Sequence, residues 1–130
     1  MCYPSIDPLL LPFCQWQASQ WMTSKVCATF SVTNPATGEV IATLPNQPAG
    51  DALAAIDRAS AALTAWQALP AKKRASLLRR WFELVMENQD ALALLMSLEQ
   101  GKPLAEAKGE VAYGAAYIEW FAEETKRVYG

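Results

Sequence analysis

Leu98-Glu99-Gln100-Gly101-Lys102-Pro103-Leu104-Ala105-Glu106-Ala107-Lys108-Gly109-Glu110 decides the architecture, because one helix ends inside it and the longest helix of the chain begins there. Gly101 stands where a left-handed residue closes a helix over 91–100. Lys102 places a cation near that helix's negative end, and Pro103 opens the next helix without wasting a backbone donor. From Leu104 the apolar and small positions run Leu104, Ala107, Val111, Gly114/Ala115, Ile118 and Phe121/Ala122. This alternating three-and-four spacing makes one stripe along a helix. Its small residues are expected to let another backbone come close, while Glu106, Glu110, Glu123, Glu124, Lys126 and Arg127 fall mostly on the other faces.

Upstream of the hinge the chain reads as three further helices and a hairpin. Asp51 follows Gly50 and opens a helix whose expected core face is Leu53, Ile56, Ala59, Leu63 and Trp66, stopped by Pro70. A helix over 71–87 is expected to turn Leu77, Leu78, Trp81, Leu84 and Val85 inward, with Arg79 and Glu83 paired one turn apart outside. Asn88-Gln89-Asp90 breaks it, and Asp90 is the expected N-cap of the helix over 91–100, whose Leu92, Leu94, Leu95, Met96 and Leu98 cover several sides. Before the helices, 29–33 and 39–44 are rich in β-branched residues, with Phe30 and Val32 set against Val40, Ala42 and Leu44. Asn34-Pro35-Ala36-Thr37-Gly38 between them has the chemistry of a type I turn closed by a glycine bulge. A weaker strand is read over 17–22. The fold class is therefore α+β and mainly helical, an N-terminal β-hairpin followed by four helices.

These motifs also carry a resemblance. Leu98-Glu99-Gln100-Gly101-Lys102-Pro103, then Ala105-Glu106-Ala107-Lys108-Gly109-Glu110, then Ile118-Glu119-Trp120-Phe121-Ala122-Glu123-Glu124 with Lys126-Arg127 and Tyr129-Gly130, resemble the N-terminal region of the aldehyde dehydrogenase superfamily. Within it they are most similar to succinate-semialdehyde dehydrogenases. Val32-Thr33-Asn34-Pro35-Ala36-Thr37-Gly38-Glu39-Val40-Ile41 is similar to that superfamily's first hairpin, so the match runs from about Trp21 to Gly130. The resemblance implies an incomplete part of the aldehyde dehydrogenase fold. Residues 17–130 would be the N-terminal segment of the dinucleotide-binding domain, and 1–16 an unmatched, poorly ordered leader.

Composition limits the function classes. A chain of 130 residues with 52% hydrophobic and 18% charged residues is globular, one domain in length, and has no apolar run long enough to span a bilayer. A net charge of −2 gives no electrostatic case for nucleic acid, and Lys72-Lys73-Arg74 with Arg79-Arg80 reads as a solvated helix face in preference to a phosphate-binding patch. Cys2, Cys14 and Cys27 are irregularly spaced with no CxxC pair, and the absence of histidine leaves no metal set, which fits free thiols in a reducing compartment. The first 24 residues contain no Lys or Arg, and Pro8 and Pro12 interrupt Leu9-Leu10-Leu11, so no targeting signal is read and a cytoplasmic location is expected.

Oxidising an aldehyde with NAD or NADP, as the resemblance implies for the full-length family, needs a thiolate nucleophile, a base, an oxyanion donor and a dinucleotide site. In the family these lie in later Gly-Gln-x-Cys, Glu-Leu-Gly-Gly-Lys and Pro-Trp-Asn segments, none of which this sequence contains. Cys2, Cys14 and Cys27 inherit no such role. Gly109 and Gly114 frame a Gly-x-x-x-x-Gly inside a helix, with neither a preceding strand nor a following Lys, and read as helix packing. Glu106 and Glu110, one turn apart, read as a solvated face rather than a catalytic pair with Glu99. Lys102 reads as a helix-end charge. Some relatives hold a structural monovalent cation on hairpin carbonyls matching Val32 and Thr33 and a carboxylate matching Glu99, for which a base-paired Glu99 is the plainer alternative.

The expectation is thus no catalytic, cofactor-binding or metal residue, and no cofactor bound by this chain alone. The stripe from Leu104 to Phe121 should lack its partner, leaving self-association or the remainder of the enzyme to cover it. Two readings from other classes are a helical module binding through that stripe and a thiol redox protein using Cys2 and Cys14.

Overall fold

The computed structural model describes residues 28–46 and 48–127. The leader, the strand expected over 17–22 and all three cysteines lie outside the described residues. The architecture is a two-stranded antiparallel hairpin, β1 (Thr29–Thr33) and β2 (Val40–Pro45), followed by α1 (Ala49–Ala68), α2 (Ala71–Glu87), α3 (Gln89–Gln100) and α4 (Leu104–Glu124). The expected fold class is the one observed.

In the hairpin, Phe30 pairs with Leu44 and Val32 with Ala42, as the alternation requires. Val40 departs from that face. The register shifts between Val32 and Thr33, Ile41 stands opposite no residue of β1, and Val40 pairs with Thr33 instead. The turn is also longer than a type I turn with a glycine bulge. The Gly38 N–H donates to the Asn34 carbonyl at 2.8 Å, closing an α-turn over three residues, with Gly38 at φ 75°. Asn34 is buried because its bonds are made locally: its N–H donates to the Glu39 carbonyl and its Oδ1 accepts the Ala36 N–H at 2.9 Å.

Each helix boundary has a local cause. Leu69, forced out of the helical region by the following Pro70, ends α1 at ψ 139°. The Arg74 guanidinium reaches back to the Gln67 and Leu69 carbonyls, satisfying groups that the end of α1 leaves open. Asn88 alone separates α2 from α3, and its side-chain amide donates to the Leu84 carbonyl at 2.8 Å. Asp90 is therefore not the N-cap of α3: it lies in the first turn, and its carboxylate pairs with Lys108 of α4 at 2.7 Å. Gly101 ends α3 at φ 74° and ψ 14°, the left-handed stop expected from the sequence. It also abuts the hairpin. A Cβ built there would lie 3.0 Å from Pro35 Cγ, so glycine serves both the backbone angle and the close approach.

The core lies where α2 and α3 pack on α4. Ala93, Ala107 and Val111 are its buried centre, flanked by Val85, Leu92 and Met96, and the buried stripe continues through Ala115 and Ala122. Four expectations fail here. The stripe on α4 is not left bare, because the chain's own α2 and α3 cover its small residues. Leu104 and Phe121, at the stripe's two ends, are exposed instead. Gly109 and Gly114 make no close approach, since a Cβ on either would meet nothing within 4 Å; alanines at 107, 115 and 122 bring the helices together. In α2 the inward residues are Ala75, Leu78, Phe82 and Val85, whereas Leu77, Trp81 and Leu84 form a second apolar stripe facing outward. The expected core face of α1 is likewise exposed at Leu53, Ile56, Leu63 and Trp66, no described element covering it.

Candidate functional site

The residues weighed as chemistry are mostly engaged structurally. Lys102 does not cap α3. Its side chain is only 16% exposed, and its ammonium turns to Glu110 and lies 3.8 Å from Glu106, so two carboxylates from the first turns of α4 pair with a partly buried lysine. Glu99 is exposed on the last turn of α3 and makes no ion pair among the described residues. Among the described residues there is no cluster of His, Cys, Asp or Glu that could hold a metal ion. The basic run of α2 is divided among partners: Arg74 caps α1, Arg79 bridges to Glu119 of α4 and to Glu83 at 3.5 Å, and Arg80 pairs with Glu87 at 3.0 Å. Arg79 also lies over the Phe82 ring at 4.9 Å.

The described residues do not fit a dinucleotide. The two strands are joined to each other as a ribbon, and the one strand that leads to a helix places Pro48 at the N-cap and the buried Asp51 in the first turn. A proline removes a donor there, and a carboxyl group opposes phosphate at the positive end of a helix.

The prominent surface feature lies on the outer side of α4. Tyr113, Tyr117, Trp120 and Phe121 are exposed, Trp120 at 62%, and with Ala116 they line an apolar groove of about 310 Å³. The buried stripe and this face are related by helix geometry: Tyr113, Tyr117 and Trp120 each follow Val111, Ala115 and Ile118 by two residues, which advances a helix by about 200°, onto its opposite side. α4 thus has small residues facing the chain's own core and large aromatics facing away. The rings of Tyr113 and Tyr117 meet edge to face at 5.0 Å, and their hydroxyl oxygens share a hydrogen bond at 2.5 Å. That bond, with desolvation by neighbouring groups, holds the Tyr117 phenol above its ordinary range. A second cleft, between α2 and the end of α4, sets Lys72, Arg79 and Lys126 against Glu123 and is net basic, with Arg79 and Lys126 drawn into ion pairs with Glu119 and Glu123. The sequence reading missed the aromatic face. Its signal was present as Tyr113, Tyr117 and Trp120 at helical spacing, hidden by the more familiar stripe of small residues.

Residues 21–130 match the aldehyde dehydrogenase family. The chain is 60% identical over 111 residues to a glutarate-semialdehyde dehydrogenase of Pseudomonas putida, and 57% identical over 111 residues to an NADP(+) succinate-semialdehyde dehydrogenase of Escherichia coli. Each match takes in 85% of this chain but 23% of the relative, so the chain spans about a quarter of the length of these proteins. Among solved structures, a succinate-semialdehyde dehydrogenase from Burkholderia pseudomallei matches at TM-score 0.76 and 58% identity, over 79% of this chain and 21% of that one. A lactaldehyde dehydrogenase from Escherichia coli matches at TM-score 0.78 and 40% identity, over 87% and 24%.

Proposed function

The chain belongs to the aldehyde dehydrogenase family, and from that premise we propose that it is the leading structural segment of an NAD(P)-dependent, cytoplasmic enzyme oxidising a short semialdehyde, of the succinate or glutarate type, to the dicarboxylate. One observation carries the substrate class. Identity is 57–60% to the glutarate-semialdehyde dehydrogenase of Pseudomonas putida and the succinate-semialdehyde dehydrogenase of Escherichia coli, against 48% to a 3-sulfolactaldehyde dehydrogenase and 40% to the lactaldehyde dehydrogenase. The segment's own contribution is scaffolding: α2 and α3 fix one side of α4, and α4 offers its aromatic side to the rest of the fold.

On this reading the nucleophile, the base and the dinucleotide site belong to polypeptide beyond these residues, and the isolated chain does not reduce NAD or NADP with either semialdehyde. The test is a covalent chimera in which this chain replaces the matching segment of the Pseudomonas putida enzyme. Retained oxidation of glutarate or succinate semialdehyde is expected. A chimera that folds but prefers lactaldehyde, or one that fails to fold, would overturn the reading.

A further inference from the structure

The outer face of α4 has the properties of a surface made to be buried. A helix that is apolar on two opposite sides belongs in the interior of a larger body, because one side alone suffices to anchor it to a small one. Its groove is apolar apart from the phenols of Tyr113 and Tyr117 and the indole N–H of Trp120; the phenols share one hydrogen bond at 2.5 Å, so an occupant has only one hydroxyl proton and the indole N–H to meet. Outward apolar stripes on α1 and α2 repeat the pattern on two more helices. A second copy of this chain, meeting one such face, leaves the others bare. The matched structures supply the scale of a sufficient occupant: they share this fold at TM-scores of 0.76 and 0.78, yet more than three quarters of each lies outside the match.

We propose that the aromatic face formed by Tyr113, Tyr117, Trp120 and Phe121 docks the remaining polypeptide of a semialdehyde dehydrogenase even when that polypeptide is a separate chain, so that the two pieces assemble without a covalent link. The inference rests on the functional reading above and goes beyond it in requiring association in trans. The partner is recognised by apolar side chains that fill the groove, with Trp120 as the anchor, since large aromatics at the centre of an interface carry most of its energy.

The test is co-expression of this chain, tagged, with an untagged Pseudomonas putida glutarate-semialdehyde dehydrogenase lacking its matching segment. Co-purification is measured, and the mass of the complex is read by light scattering. A stable complex containing both chains is expected. Trp120→Glu and Tyr117→Glu, each changing an exposed side chain, should lower the recovered partner by about tenfold or more while leaving the thermal midpoint of the isolated chain unchanged. Glu87→Gln, away from the face, should have no effect. Equal recovery by the variants would place docking elsewhere and overturn the proposal, as would assembly of the chain with itself to the exclusion of the partner. If no complex forms although the covalent chimera is active, association in trans fails and the functional reading stands; if the chimera itself is inactive, that reading fails first.

Discussion

The two sides of α4 solve opposite problems with the same twenty-one residues. On the inner side Ala107 is fully buried, Ala115 and Ala122 nearly so, and α2 and α3 come in over them. On the outer side Tyr113, Tyr117, Trp120 and Phe121 stand in solvent. Hydrophobic burial scales with area, so the larger potential gain lies on the side that this chain leaves uncovered. Close packing explains the division. Small residues let helices approach within one segment, whereas large aromatics fill space between bodies that need not be so near.

Substitutions on the two sides should therefore differ in kind. Ala107→Leu forces extra volume into a site with no room and is expected to destabilise the isolated chain by about 1–3 kcal/mol in thermal or denaturant unfolding. Trp120→Glu should stay within about 0.5 kcal/mol in the same experiment. If Ala107→Leu is silent, the inner side is not close-packed and the comparison collapses.

Gly101 gives the next largest effect and tests how the hairpin is held to the helices. Gly101→Val meets both a positive φ and the Pro35 ring and should cost about 1–3 kcal/mol, with Gly101→Asn costing less because asparagine tolerates the left-handed region. Adding Pro35→Ala should recover part of the loss for Val, since Pro35 Cγ is the atom approached at 3.0 Å. Simple additivity in that cycle would mean the hairpin does not touch the hinge.

Charge pairs refine the comparison at smaller scale. Arg79 links α2 to Glu119 of α4 at an exposed site, and a double-mutant cycle should give a coupling of about 0.2–1 kcal/mol that weakens with added salt. Smallest of all is Glu123, whose carboxyl is held below its usual range, first by the hydrogen bond from Lys126 and then by that ammonium's charge. A depressed folded-state pKa stabilises above the ordinary glutamate range, and the contribution is lost as pH falls through the lowered value. Lys126→Ala should flatten that part of the acid unfolding curve, and an unchanged curve would show that the pair is not formed in solution.

Much of the fold was legible because its signals are local. Gly101 and Pro103 mark a helix stop and start, Pro70 ends α1, and the β-branched run 29–33 is a strand. What escaped was set by partners distant in sequence. Leu77, Trp81 and Leu84 have the spacing of a core stripe as good as that of Ala75, Leu78, Phe82 and Val85, and only the position of α4 decides between them. Asp90 has the chemistry of a cap but finds Lys108 across the helix pair. The hairpin's extra turn residue and the bulge at Ile41 are likewise invisible to an alternation of apolar residues. At the candidate site, the roles of Glu106 and Glu110 as solvated carboxylates followed from spacing, whereas their common partner Lys102 and the aromatic face did not.

The most direct measurement is the thermal midpoint of Trp120→Glu in two settings, the isolated chain and the covalent chimera with the Pseudomonas putida enzyme. An outer face made to be covered predicts an unchanged midpoint in the isolated chain and a fall of several degrees in the chimera, where the charge is buried. Equal shifts in the two settings, or none in either, would contradict the assignment of that face as a docking surface.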